Sequence, residues 1–409
     1  MRRPVLLILT LLLALAVASS PVAATPPLNR LGVHLLLDDG RGTWPIERWA
    51  EHLYHARQAV GAWGYVTQLV RRDDLSLARW QYFMDVCAAL ELTPVIRLAT
   101  TFDRSRGWWR APQRDPDGTY RTVAAEYAAF IGGLRWPTDR HYVIVGNEPN
   151  HGNEWGGRPD PAAYARFLVD VAAALHEADP QVQILNAGFD HYAPHTGSFP
   201  FSPGGAYFMD AETFMDEMVA AIPDVFTVID VWSSHPYPAG PFTEGPWVQT
   251  FRRDLINDAR NPAQMAPVAG VFNRGVNGYD WEILKLFSYG IVNLPILITE
   301  TGWRKAESTH PRALDGGRGL PPASTVAAYI DLTLNGNNGR YPQYPETGWR
   351  PWLDDPNVIG VTFFAFNGKP EEWGHTNWLM LDADGAVRGA YPMAEMLAAI
   401  SQRQAISDR

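Results

Sequence analysis

Short apolar runs alternate along the chain with longer amphipathic stretches. The runs are Leu31–Leu37, Tyr65–Val70, Pro94–Ala99, His141–Gly146, Val182–Gly188, Val225–Ser234, Leu294–Thr299 and Val358–Phe366. Each has the length of a strand and is rich in Val, Ile, Leu or Phe. Most lack strict apolar–polar alternation, as expected of parallel strands covered on both faces. The intervening stretches predict helices. Pro45–Val60 carries apolar residues at helical spacing. Asp160-Pro161 opens Ala162–Glu177 with an N-cap residue and a proline at the first helical position. Ala323–Asn335 starts near Ser324 and stops at Gly336, a glycine C-cap; Ala390–Ile400 closes the chain. Roughly eight strands, each followed by a helix, predict a single-domain α/β fold of the (β/α)8 TIM-barrel type. An open doubly wound sheet normally places a Gly-rich turn after its first strand. Here Asp38-Asp39-Gly40-Arg41-Gly42 does not fit that fingerprint. Two long connections, from His235 to about Gly278 and from Trp303 to Pro322, follow predicted strands. Both should lie at the C-terminal face, where barrels build their active sites.

Composition fits this reading. The chain has 409 residues, of which 46% are hydrophobic, more than a barrel of about 250 residues requires. Charged residues make up only 19%, which excludes a disordered chain. A net charge of -10 argues against nucleic acid and anionic membrane surfaces as partners. Met1-Arg2-Arg3 precedes the apolar stretch Val5–Val17, and Val22-Ala23-Ala24 supplies small residues for cleavage. About 13 apolar residues are too few for a comfortable membrane span of about 20. Residues 1–24 are therefore expected to be a signal peptide and 25–409 the single barrel domain, exported to the periplasm or beyond, with no stable membrane insertion after cleavage. Cys87 is the single cysteine, so no intramolecular disulfide and no cysteine cluster for zinc is possible. It sits in a helical-looking stretch and is expected to be a buried, inert thiol.

Two glutamates stand just past apolar runs, which an ionisable side chain enters only at a cost. Glu148 follows Tyr142-Val143-Ile144-Val145-Gly146-Asn147, and Pro149 after it disfavours helical geometry. The strand conformation is therefore expected to persist through Glu148. Glu300 follows Leu294-Pro295-Ile296-Leu297-Ile298-Thr299. Alone, each reads equally well as a strand-end glutamate paired with a core arginine. On the fourth and seventh of eight strands, they fit the chemistry of glycosidic cleavage. That chemistry requires one protonated and one ionised carboxyl flanking the anomeric carbon.

Asn147-Glu148-Pro149 at the fourth strand, Ser234-His235-Pro236-Tyr237 at the sixth and Thr299-Glu300-Thr301-Gly302-Trp303 at the seventh resemble glycoside hydrolase clan A. The resemblance spans nearly the whole mature chain. Within the clan these motifs look most like the β-xylosidase/α-L-iduronidase family and cellulase-like relatives. Glu300-Thr301-Gly302-Trp303 also echoes the endo-β-1,3-glucanases. The resemblance implies a retaining glycoside hydrolase, with Glu148 as general acid/base and Glu300 as nucleophile. It implies that Tyr237 hydrogen-bonds the nucleophile and that His235 lines the sugar site. Asn147 is expected to reach the sugar 2-hydroxyl.

Other expected substrate contacts are Asn150, Trp155, Trp373 and, above all, Trp303, three residues past Glu300. Arg97 is a charge inside the third strand. It either braces a catalytic carboxylate or forms a structural pair in the barrel interior. His34 in the first strand reads as a satisfied core histidine. The clan usually ends its eighth strand with Trp, whereas this chain has Thr362-Phe363-Phe364-Ala365-Phe366. Trp373 or Trp378 is expected to substitute from the following loop. The two-carboxylate mechanism requires neither metal nor cofactor. The chain has no Gly-x-Ser-x-Gly elbow, no His-Glu-x-x-His helix and no phosphate-binding loop. A non-catalytic carbohydrate-binding barrel is the competing reading.

Overall fold

A computed structural model describes residues 29–193, 206–249, 274–308 and 319–407. The expected signal peptide and the middle of both long connections lie outside the described residues. Eight parallel strands form the barrel: β1 (Leu31–Leu35), β2 (Tyr65–Arg71), β3 (Thr93–Ala99), β4 (His141–Val145), β5 (Val182–Asn186), β6 (Trp232–Ser234), β7 (Ile296–Thr301) and β8 (Val358–Phe363). The helices are α1 (Ile46–Val60), α2 (Leu77–Ala89), α3 (Arg121–Gly132), α4 (Pro161–Ala178), α5 (Ala211–Ala221), α6 (Tyr279–Ser288), α7 (Ala323–Asn335) and α8 (Pro392–Ser407). The chain is a (β/α)8 barrel. No helix among the described residues is long and apolar enough to cross a membrane.

The ladder runs β5-β4-β3-β2-β1-β8-β7-β6, so the first strand pairs with the last. Between β5 and β6 the ladder thins to a single bridge, Leu185 to Val231. There the Asn186 side chain stands in for backbone. Its amide donates to the Ser233 carbonyl at 3.0 Å and accepts from the Ser233 N–H at 2.8 Å.

The strand period sets the two cores. Ile96 and Leu98 point outward into the apolar layer shared with the helices, while Val95 points inward. Inside the barrel Val95 meets Tyr65, Tyr142, Ile144, Leu185, Val231 and Leu297. Higher in the barrel the side chains turn polar, with Thr67 bonded to Thr362 at 3.1 Å and Ser233 to Thr299 at 2.6 Å. This polar layer satisfies its own hydroxyls and forms the floor of the site above it.

Local signals place the helices as expected. The Asp160 side chain caps α4 by accepting from Ala163 N–H at 2.9 Å, and Gly336 closes α7 at φ 70°. Cys87 is buried in α2, and burial pushes its thiol well above its usual range. The sixth apolar run is an exception. Only Trp232–Ser234 is strand, and Val225–Val228 forms a 3-10 turn whose Thr227 bonds back to Asp224. The eighth strand stops at Phe363, and the Phe364–Ala365 peptide after it is cis.

Candidate active site

The C-terminal ends of the strands open into a cavity of about 340 Å3, within the usual range for small-molecule sites. Glu148 and Glu300 both line it, with Arg97, Asn147, His235, Tyr237 and Trp373. One carboxyl oxygen of Glu148, one of Glu300 and a ring nitrogen of His235 all lie within 4.8 Å of one another.

Glu148 does not continue its strand. β4 ends at Val145, Gly146 turns at φ 93°, and Glu148 itself adopts φ 31°. The left-handed region is costly for such a side chain and is typical of positions held by function. The backbone is fixed by Glu148 N–H donating to the Gly188 carbonyl at 3.0 Å and by the Glu148 carbonyl accepting from His151 N–H at 2.7 Å. Restriction by Pro149 thus excludes helix, but Gly146 lets the chain turn before strand geometry reaches the glutamate.

The two carboxyls have different surroundings. Glu148 Oε1 lies 2.9 Å from His235 Nδ1. Burial, then the negative charges of Asp190, Glu300 and Glu154, raise the Glu148 carboxyl well above its usual range, with Arg97 opposing. Burial raises Glu300 as well, but Arg97 and the Tyr237 hydroxyl pull it back. Tyr237 donates to Glu300 Oε1 at 2.7 Å, and Arg97 Nη1 donates to Glu300 Oε2 at 3.2 Å. The environments therefore set the two carboxyls apart, with Glu148 raised further above its usual range than Glu300. Tyr237→Phe should lower kcat by about 10- to 100-fold and move the acidic limb of the pH–rate profile upward. The sign follows from the lost donor: the ionised form of Glu300 loses a stabilising bond, so its pKa rises. A pH–rate profile of the variant checks both.

Arg97 resolves its two readings in favour of bracing. The same Nη1 donates to Asn147 Oδ1 at 2.8 Å. Asn147 therefore presents its amide N–H groups, rather than its oxygen, to the cavity. His34, expected as a satisfied core histidine, is buried beside the site with neither ring nitrogen hydrogen-bonded, because the strand aims it at the Glu300 carboxyl rather than at a backbone partner. Its Nδ1 is 3.5 Å from Glu300 Oε2, and its ring meets Phe364 edge-on at 5.2 Å. Burial and the Arg97 charge keep both His34 and His235 well below the usual imidazole range, hence neutral.

His235 owes its place to a glycine. A Cβ at Gly188 would fall 2.2 Å from His235 Cδ2. Gly188→Ala should therefore displace the imidazole and lower kcat by about 100-fold in a folded protein, since ~1 Å of misplacement suffices for such a loss. Activity together with circular dichroism checks this.

Three expected contacts are not brought to the cavity. Trp303 is buried, donates its indole N–H to the Glu244 carbonyl at 2.8 Å and faces Tyr329. Trp155 packs edge-on against Tyr164 and Phe167. Asn150 is fully buried; its amide donates to the carbonyls of Asp190 and Met209, and its Oδ1 accepts from Asp190 N–H. It fixes Asp190, which does line the cavity. Of the two candidates after the eighth strand, Trp373 lines the cavity and meets Phe364 edge-on at 4.9 Å, while Trp378 is buried against Phe363. Trp109, one of the loop tryptophans on the strand-exit side, lines it too; Phe364, Asp39, Arg41, Glu154 and Asp190 also line it and were not expected. Their signal in the sequence is position alone: Asp39 and Arg41 follow the β1 run, and Asp190 follows the β5 run.

The Glu148, His235 and Glu300 donors could in principle hold a cation. Their chemistry here argues otherwise. His235 Nδ1 is engaged with Glu148, and the Arg97 guanidinium already supplies a positive charge to Glu300.

Among solved structures the fold is similar to a family 39 glycoside hydrolase from the gut symbiont Bacteroides cellulosilyticus WH2. That match has TM-score 0.51 and 15% identity, covering 92% of this chain and 63% of the other. A fungal β-1,4-galactanase matches at TM-score 0.52 and 13% identity, covering 91% of this chain and 100% of the other. A GH5 protein from Streptomyces cattleya, in complex with Manβ1-4GlcNAc, matches at TM-score 0.54 and 15% identity, covering 92% and 80%. At such identities the likeness is one of fold. This chain spans just under two thirds of the length of the family 39 protein. No family model matches the chain, and no curated protein matches its sequence.

Proposed function

We propose that the protein is a retaining glycoside hydrolase acting on β-linked oligo- or polysaccharides, with Glu300 as nucleophile and Glu148 as general acid/base. The observation that carries this reading is the pair of carboxyls within 4.8 Å, one bonded by Arg97 and Tyr237 and the other raised well above its usual range by burial and neighbouring carboxylates. Retaining enzymes set their carboxyls about 5 Å apart, whereas inverting ones leave about 6.5–9.5 Å for a water.

In the first step Glu300 attacks the anomeric carbon while Glu148 protonates the departing glycosidic oxygen. A neutral His235 with its proton on Nδ1 donates to Glu148 Oε1 and leaves the other oxygen to carry the acidic proton. As the leaving group departs, Arg97 and Tyr237 hold the Glu300 carboxylate, and the Asn147 amide meets the 2-hydroxyl, where bonding strengthens in the transition state. Glu148, now ionised, then takes a proton from water, which attacks the glycosyl ester and regenerates both residues. Trp373, Trp109 and Phe364 offer apolar faces for the C–H surface of a sugar ring. We also propose export with cleavage near Ala24, which sequencing the N-terminus of the secreted protein tests.

The test of function is hydrolysis of aryl β-glycosides and β-linked polysaccharides, with the product anomer followed by proton NMR. Release of the β-anomer first supports the reading. Inversion overturns the mechanism, and silence across the panel with sugar binding retained favours the non-catalytic carbohydrate-binding barrel.

A further inference from the structure

Lys305 is completely buried, five residues past the nucleophile. Full burial of a lysine is rare and costly unless each donor finds a partner. Here the Nζ donates to the Glu307 carbonyl at 2.7 Å and to the Gly374 carbonyl at 2.7 Å, and lies 3.8 Å from the centre of the Tyr391 ring. Two carbonyls and an aromatic face thus occupy the three N–H directions. The nearest carboxylate, Glu307, instead accepts from Ala323 N–H at the head of α7. The ammonium is therefore held by dipoles that belong to two different loops.

Those loops form one wall of the cavity. Arg304 precedes Lys305 in the loop after β7; Trp373, His375 and Thr376 lie in the loop after β8, and all four line the cavity. Lys305 N–H donates to the His375 carbonyl at 2.8 Å, so backbone and side chain grip two successive carbonyls, those of His375 and Gly374. The contact is close: a Cβ at Gly374 would fall 2.2 Å from Ser308 Oγ. From the other side, the Trp373 indole N–H donates to Asp39 Oδ2 at 2.7 Å.

We propose that Lys305 is a positioning residue, a buried clasp that joins the loops after β7 and β8 and so sets the sugar-facing wall made by Trp373 and His375. The proposal rests on the glycosidase reading for its kinetic consequence, but not for the clasp itself. Burial lowers the ammonium to about 7, with Glu307 opposing. The titratable groups around it are Glu307 on its own loop, His375 on the opposite loop and Tyr391 ahead of α8.

The test compares wild type with Lys305→Met, which keeps the volume and removes the donors, and Lys305→Arg, which keeps the charge. Amide exchange of residues 304–308 and 370–377 should quicken by about tenfold or more in Lys305→Met, with the barrel strands unchanged. On the panel substrate KM should rise about tenfold with kcat within about threefold, and Lys305→Arg should recover part of that loss. Unchanged exchange in both loops overturns the clasp. A lowered Tm with wild-type KM reduces Lys305 to a structural residue and overturns the positioning role. If wild type hydrolyses nothing, the glycosidase reading fails while exchange still decides the clasp. If Lys305→Met does not fold, amide exchange in wild type decides: residues 304–308 and 370–377 opening together as one unit supports the clasp, and the two segments opening independently overturns it.

Discussion

Glu300→Gln should abolish turnover, with kcat lowered by about 10,000-fold or more while the protein still folds. The amide keeps the size of the carboxylate but cannot form the glycosyl ester. It also leaves Arg97 facing a neutral group. Sugar binding should survive, because Asn147, Trp373 and Asp190 remain in place, so a calorimetric titration with the panel substrate should still report binding. Adding azide to the smaller Glu300→Ala variant should restore release of the aryl group and give a glycosyl azide of inverted configuration, since the small anion attacks from the vacated face. Turnover by Glu300→Gln near the wild-type rate would remove Glu300 from the nucleophile role.

Glu148→Gln should give a different pattern. Loss of the acid should lower kcat by about 100- to 10,000-fold for glycosides with poor leaving groups. Activated aryl glycosides depart without a proton and should suffer far less in the first step. The alkaline limb of the profile should also vanish. In wild type, activity requires Glu300 ionised and Glu148 protonated. Because burial and the charges of Asp190, Glu300 and Glu154 raise Glu148, that limb should lie well above an ordinary carboxyl. The same shift has a sign for stability. A carboxyl raised in the folded state binds its proton more tightly there than in the unfolded chain. Its contribution is present below the unfolded value and is lost as pH climbs through the folded one. Glu148→Gln should thus match or exceed the wild-type Tm at neutral pH. A thermal melt checks this alongside the rates, and a lowered Tm would contradict the burial argument.

The barrel was legible because its strands are buried on both faces and read as unbroken apolar runs. That legibility failed where burial came without extension. Val225 and Phe226 are as buried as any strand residue, yet Asp224 turns them into a 3-10 segment. The two candidate glutamates were legible for the opposite reason, being costly residues at the exits of apolar strands. Loop aromatics were not. Nothing in Thr301-Gly302-Trp303 says whether the indole faces the cavity or turns back to the Glu244 carbonyl, and it turns back. Trp155 likewise fills the gap between Tyr164 and Phe167. Asp190, whose charge helps raise the Glu148 carboxyl, follows an ordinary apolar run. Its importance arises only when β4 and β5 stand side by side.

The barrel is closed unevenly. Seven junctions are laddered, while the β5–β6 junction has one bridge, the Asn186 amide and the Asp230 carboxylate, which accepts from Ile184 N–H at 2.8 Å. Glu148 stands on the segment before that junction and Glu300 on the segment after it. Asn186 and Asp230 thus carry with side chains what backbone pairing carries at the other junctions, on the arc of wall that separates the two carboxyls.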